Sequence, residues 1–137
     1  LQSGLAVVAV KDRVYAIGGA DSFGNAVPTT RAFDPAERRF VELLPMTSAR
    51  AEPAAVAVDE DIVVVGGDNG GALQTVEIYD TRTNTWTSGP LLPGPRRGAS
   101  VVAVDGADPW MLMYTAGKSG KPRSGIRSRR RGAHLTG

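Results

Sequence analysis

One unit of sequence occurs twice in this chain, and a third copy begins near residue 100. Gly18-Gly19 recurs as Gly66-Gly67, 48 positions later. An aromatic residue followed by Asp comes next in each unit, and a second aromatic stands seven positions after the first. These aromatic pairs are Phe33 and Phe40 in the first unit, and Tyr79 and Trp86 in the second. A repeated unit of this size buries its apolar face by stacking on its neighbours, so the repeat decides the fold.

Each unit opens with an apolar stretch that a polar turn divides in two. The stretches are residues 6–19, 54–67 and 100–117, and the first two turns are Lys11-Asp12-Arg13 and Asp59-Glu60-Asp61. Short apolar runs bounded by turn residues favour strands over helices. A third strand ends at the aromatic-Asp pair and a fourth begins at the second aromatic. The sequence therefore predicts an all-β fold with four antiparallel strands per unit.

Four strands in a unit of about 50 residues are typical of the Kelch repeat, which these residues resemble. The second unit matches best, whereas the first has Phe for both Tyr and Trp, and the third has Ala116-Gly117 in place of the double glycine. The resemblance implies β-propeller blades of the Kelch type. It also implies structural roles for the repeat positions, which are Gly18, Gly19, Gly66, Gly67, Phe33, Tyr79, Phe40 and Trp86.

The number of units predicts an incomplete ring. We divide residues 1–117 into a blade at 1–46, a blade at 47–94 and a partial blade at 95–117. A propeller typically closes with about four to eight blades. We therefore expect this chain to be a fragment whose partners include the remaining blades of a longer chain. Identical copies that assemble a ring are the alternative.

Residues 118–137 form a basic segment with no hydrophobic periodicity. They carry seven Lys and Arg and no acid, whereas residues 1–117 carry nine Lys and Arg against fourteen Asp and Glu. The basic pI of the chain therefore belongs to this segment. We expect it to be a disordered tail, because it has neither the apolar pattern of a strand nor aromatics that could stack on bases. Binding of nucleic acid by the tail is the less favoured interpretation.

Several kinds of chemistry have no support in the sequence. The chain has no Cys, and its one His, His134, lies in the basic segment, so a thiol nucleophile, a Cys zinc site and a His-based triad are not expected. The acidic turn Asp59-Glu60-Asp61 is interpreted as solvated rather than as a cation site. We predict no metal, no cofactor and no membrane span, and the sequence assigns no compartment.

The expected functional surface is one end of the blades, around the central channel. Loops after each double glycine (20–29 and 68–74) and loops between blades (45–53 and 93–98) should emerge there, because each follows an even-numbered strand of its unit. The candidate ligand-binding residues in these loops are Asp21, Asn25, Asp68, Asn69, Arg50, Arg96 and Arg97. Arginine could hold a carboxylate with two hydrogen bonds. The alternative is that these arginines are structural and bond backbone carbonyls between blades.

Two functions follow from the resemblance. The first is a binding module, non-catalytic on its own, that presents loops to a protein or peptide partner. The second is part of a Kelch-like propeller enzyme that acts on sugars, similar to a mutarotase or epimerase, with its catalytic residues in blades outside this chain. Fold alone does not choose between them, because function lies in the site that a fold carries.

Overall fold

A computed structural model describes residues 3–92, 94, 100–104, 111–115, 122–129 and 132–136; from residue 100 onward it describes the backbone and the Val101 side chain. The first sheet, blade 1, contains β1 (Ala6–Val10), β2 (Arg13–Ile17), β3 (Thr30–Asp34) and β4 (Arg39–Glu42). Blade 2 contains β5 (Ala54–Val58), β6 (Asp61–Val65), β7 (Val76–Asp80) and β8 (Thr85–Ser88). All neighbouring strands in both blades are antiparallel and follow chain order. The predicted all-β blades of four strands are confirmed.

A third sheet follows the same order, with β9 (Ser100–Val104), β10 (Met111–Thr115), β11 (Pro122–Arg129) and β12 (Gly132–Thr136). The sequence predicts a disordered tail from residue 118, and the structure differs, because residues 122–129 and 132–136 are strands. Main-chain pairing along the free edge of β10 needs no particular side-chain pattern, and so hydropathy gave no signal for it. The domain limits proposed from the sequence stay a prediction.

Contacts between the sheets bury the core. β5 lies beside β1 on one side and beside β9 on the other, so the first strand of each sheet is its innermost strand. One cluster lies between blades 1 and 2 and includes Tyr15, Ile17, Ile62 and Tyr79. A second cluster covers the opposite face of blade 2, where Val101 packs against it. Blade 2 is therefore the middle of three stacked sheets, in a ring that does not close.

The double glycine allows the chain to leave β2 close to the next blade. Gly18 has φ of +70°, and a Cβ atom there would lie 2.6 Å from the Arg50 carbonyl oxygen. Gly19 donates its backbone N–H to that same oxygen at 2.7 Å. Only glycine combines this backbone conformation with so close an approach. Gly18 and Gly19 therefore lie at the junction between blade 1 and the segment that leads to blade 2.

In the described part of the chain, no helix has the length and hydropathy needed to cross a membrane.

Candidate functional site

The two ends of the blades differ in what they carry. Hairpin turns join β1 to β2, β3 to β4, β5 to β6 and β7 to β8, and we call their end of the sheets the turn end. Residues 18–29, 45–53 and 66–74 lie at the opposite end together with Ser3 and Gly4, and we call this the mouth face. Connections after even-numbered strands reach one end in an antiparallel meander, as the sequence predicts.

Backbone bridges tie the loops of the mouth face into one surface. Ser3 pairs with Ala20, and 48 positions later Ala51 pairs with Asp68. Glu52 donates its N–H to the Gly4 carbonyl at 2.8 Å, which connects the two pairs. Because the Glu52 bond crosses from blade 2 to blade 1, it joins the loops of the two blades.

Asp21 and Asn25 lie in the loop between β2 and β3. The Asp21 carboxylate accepts the N–H groups of Phe23 at 2.9 Å and of Asn25 at 3.0 Å. The Asp21 N–H bonds the Asn25 carbonyl at 2.9 Å. Asp21 therefore closes its own loop, while the Asn25 side chain is exposed.

Asp68 and Asn69 lie in the corresponding loop of blade 2. Asp68 exchanges backbone hydrogen bonds with Ala51 in both directions, at 2.8 and 2.9 Å. Asn69 is exposed, and its N–H bonds the Gly71 carbonyl at 3.1 Å. The structure thus places Asp68 and Asn69 on the mouth face together with Asp21 and Asn25.

Arg50 lies inside the junction rather than on the mouth face, with none of its surface exposed. Its Nε and Nη2 atoms donate to the Glu77 carboxylate at 3.2 and 2.9 Å. Its Nη1 donates to the carbonyls of Gly66 at 2.8 Å and Thr75 at 3.0 Å. Arg50 cannot reach a ligand from this position, so its inclusion among the ligand-binding candidates is corrected. Its role is structural, because its side chain bonds blade 2 while its backbone bonds Gly19 and Val27 of blade 1. Arg96 and Arg97 lie outside the described residues.

Glu77 completes this junction, and the sequence gave no indication of it. It is 3% exposed and also accepts from the Thr47 N–H at 2.9 Å, the Thr47 hydroxyl at 2.8 Å and the Ser48 N–H at 3.3 Å. A buried carboxylate needs this many donors, because burial without them would be very unfavourable. The one available signal was a carboxylate within the apolar strand β7.

The repeat's aromatics reach across the same junction. The Tyr79 ring packs against Trp86 with centroids 4.9 Å apart and against Tyr15 of blade 1 at 6.2 Å. The Tyr79 hydroxyl lies 2.5 Å from Asn84 Oδ1. Burial, and then the nearby Tyr15 and Asp80, raise the pKa of Tyr79 to about 12. Tyr79 and Trp86 therefore contribute to the apolar packing between the two blades.

The acidic turn Asp59-Glu60-Asp61 lies at the turn end, where basic side chains meet it. Glu60 forms ion pairs with Lys11 of blade 1 and with Arg82, the latter at 3.3 Å. Burial, followed by repulsion from Asp80, raises the pKa of Asp61 above its usual value. Within the described residues, no group of three His, Cys, Asp or Glu side chains is placed to hold a metal ion. The cluster thus acts as an ion-paired contact between blades.

Four-stranded antiparallel sheets stacked through their first strands define the class of this molecule as a β-propeller with an open ring. The solved structure entitled "Structure of YjhT" has the same fold, with a TM-score of 0.74 at 12% identity over 99% of this chain and 46% of that one. The Kelch motif matches residues 3–47 and 49–91. The chain therefore belongs to the Kelch-repeat family.

Curated relatives are similar over the same region. Human Kelch-like protein 33 is 30% identical over 110 residues, which is 78% of this chain and 20% of that protein. Rat Kelch-like protein 7 is 36% identical over 84 residues, 61% of this chain and 14% of the relative. Alpha-scruin of Limulus polyphemus is 29% identical over 110 residues, 74% of this chain and 12% of the relative. The chain thus spans a fifth or less of these proteins.

Proposed function

We propose that this chain is part of a Kelch propeller that binds a protein or peptide partner through the mouth face, and that it is non-catalytic on its own. The observation that supports this most is the backbone ladder from Ser3 to Asp68, which joins loops of two blades into one surface. Binding residues are commonly found on loops that a rigid scaffold holds in place. Kelch-like relatives are consistent with a protein partner.

Side chains that remain accessible on this surface would make the contacts. Asn25 and Asn69 are exposed, and Asp21 and Asp68 are partly exposed. Amide and carboxylate groups can bond the backbone or the polar side chains of an extended peptide. Arg96 and Arg97 belong to the same proposal, as candidate partners for a carboxylate.

A selection experiment tests this proposal. The 137-residue chain would be immobilised and used to select from a phage-displayed library of random dodecapeptides, and the affinity of the selected peptides measured by calorimetry. We expect Asn25→Ala and Asn69→Ala to weaken binding several-fold. Asp12→Asn at the turn end is the matched control and should leave the affinity unchanged. A library with no binding sequence, or peptides sensitive only to Asp12→Asn, would overturn the proposal.

The second function, part of a sugar-acting propeller enzyme, stays a prediction. It requires catalytic groups from blades outside this chain, and its test is activity of a longer protein towards free sugars.

A further inference from the structure

One exposed aromatic side chain on the mouth face is not explained by the repeat. Phe23 is 86% exposed, the most of any large hydrophobic residue in the described part of the chain. Other exposed apolar residues have a simpler explanation. Three of them, Val7, Val14 and Phe40, lie on the uncovered side of blade 1. The corresponding residues of blade 2 are Ala55, Ile62 and Trp86, and these pack against blade 1.

Phe23 has no counterpart in blade 2, because its loop is longer. The bridges Ala20 with Ala26 and Asp68 with Ala72 mark corresponding points in the two loops. Five residues lie between the first pair and three between the second. The two additional residues account for the change in spacing from 48 at the double glycine to 46 at the aromatic-Asp pair. The extra length carries a phenyl ring into solvent at the tip of the loop.

Hydrogen bonds within the loop order the backbone that carries this ring. The Phe23 N–H donates to the Asp21 carboxylate, and the Gly24 N–H donates to the Asp21 carbonyl at 3.0 Å. Gly24 has φ of +83° and open space around it, so the tip projects from the surface. A loop that is already ordered loses little entropy on binding, and this favours an aromatic side chain as an anchor for recognition.

The charges near this loop indicate the chemistry of the partner. In residues 3–4, 18–29, 45–53 and 66–74, the charged residues are Asp21, Arg50, Glu52 and Asp68. Arg50 is buried against Glu77, and Asp68 has an interaction partner of its own, so the accessible charges that remain in these segments are the carboxylates of Asp21 and Glu52; Arg96 and Arg97 lie outside the described residues. An aromatic ring beside carboxylates suits an Arg or Lys side chain, which can lie over the ring while its charge faces an acid.

We infer that Phe23, with Asp21 and Glu52, forms a recognition surface for a protein segment rich in Arg and Lys. The inference rests on the proposed function, since it names the partner class for the same mouth face. It concerns blade 1 in particular, because the loop of blade 2 has no aromatic residue.

The peptide selection tests this inference as well. Dodecapeptides selected on the unaltered chain should be enriched in Arg and Lys, and their binding should weaken with added salt. Phe23→Ala should reduce the affinity about ten-fold or more. Phe23→Leu keeps an apolar side chain without a ring, and we expect its affinity for the peptides to stay low, as in Phe23→Ala. Ser22→Ala, in the same loop, is the matched control and should change nothing.

The outcomes separate this inference from the proposed function. Peptides that bind with the same affinity to Phe23→Ala, while Asn25→Ala and Asn69→Ala weaken them, would overturn the role of Phe23 and leave the mouth face as the binding site. Enrichment of Asp and Glu in the selected peptides would overturn the partner class. A selection with no binding peptide would contradict the proposed function and this inference with it.

Discussion

Blade 1 and blade 2 have the same strand order but are buried differently. In β2 only Tyr15 and Ile17 are buried, and Val14 is 38% exposed, whereas four consecutive residues of the corresponding strand β6 are buried. The reason is position, since blade 2 is covered on both faces and blade 1 on one. The comparison shows which parts of the repeat maintain a blade and which maintain the junction between blades.

The aromatic pair shows this division clearly. Phe33 and Phe40 pack edge to face at 5.4 Å within blade 1 and need no neighbour to do so. Tyr79 and Trp86 add polar atoms to the same arrangement, and the Trp86 indole N–H donates to the Leu44 carbonyl of blade 1 at 2.8 Å. The Phe33–Phe40 contact therefore belongs to blade 1 alone, whereas the Tyr79 ring and the Trp86 indole N–H both contact the neighbouring blade.

The charged residues differ in the same way. Arg31 occupies the position in blade 1 that Glu77 occupies in blade 2. Arg31 pairs with Glu42 across β3 and β4 at 2.7 Å in an exposed pair, whereas Glu77 is buried with Arg50. In the sequence, the position 48 residues before Arg50 is occupied by Gln2. Both members of the buried pair thus change together.

The largest difference between the blades should appear when each ion pair is broken. Arg50→Met leaves Glu77 buried without its main partner and should lower the free energy of unfolding by about 3–5 kcal/mol. Arg31→Met removes an exposed pair and should cost less than about 1 kcal/mol. Urea unfolding followed by tryptophan fluorescence measures both. Equal losses would mean that the buried pair is not what joins the blades.

Tyr79 makes the junction sensitive to alkali. Its pKa is raised to about 12 by burial, so the folded chain keeps the hydroxyl proton over a pH range in which the unfolded chain, with a pKa near 10, loses it. The Tyr79 contribution to stability is therefore complete below pH 10 and is lost as the pH rises towards 12. The free energies of unfolding of the unaltered chain and of Tyr79→Phe, measured with urea across this pH range, should converge as the pH rises. Parallel curves would contradict the assignment.

Blade 1 contains a buried hydroxyl that blade 2 replaces with a methyl group. Thr30 is fully buried and its hydroxyl has no hydrogen-bond partner among the described residues, whereas Val76 occupies the same position in blade 2. Thr30→Val should stabilise the chain by about 1–2 kcal/mol, because an unpaired buried polar group is removed. Thermal unfolding measures this. Thr87→Val on the exposed strand β8 is the control, and a comparable gain there would point to strand propensity instead.

The polar atoms of the aromatic pair should have a modest effect. Trp86→Phe gives blade 2 the residue that blade 1 has and removes the hydrogen bond to Leu44. We expect loss of this bond to lower the free energy of unfolding by about 1 kcal/mol, in addition to the effect of the smaller ring on packing. The converse substitution, Phe40→Trp, should give no comparable gain, because no neighbour accepts its N–H in the described part of blade 1. Chemical denaturation of the two variants compares them.

The smallest effect concerns the hairpin turns. Arg38 and Asn84 occupy corresponding positions with φ of 55°, a conformation that Asn tolerates better than Arg. Arg38→Asn should stabilise the chain by about 0.5 kcal/mol. Ala36→Asn, in the same turn but without a positive φ, should not stabilise it, and an equal gain in melting temperature for that control would contradict the explanation.

Repetition explains why so much of the fold could be predicted. A double glycine and an aromatic pair at fixed spacing are visible in one sequence, because two blades meet the same steric demands. Glu77 was not predictable in this way, because the first unit has Arg31 at the corresponding position. A repeat predicts a role only for residue types that its copies share. Phe23 was similarly hidden, because loop length can be read from spacing but exposure cannot. Strands β11 and β12 escaped notice because backbone pairing left no hydropathy pattern.

Leu44 has a consequence for following the motion of the blades. Its N–H donates to Asn84 Oδ1 of blade 2 at 3.1 Å, whereas the N–H of the preceding residue, Leu43, donates to Thr30 within blade 1 at 2.8 Å. In deuterated water, the Leu43 proton exchanges when blade 1 itself opens, and the Leu44 proton exchanges when the two blades separate. Exchange at two adjacent amides thus reports separately on the opening of blade 1 and on the separation of blade 1 from blade 2.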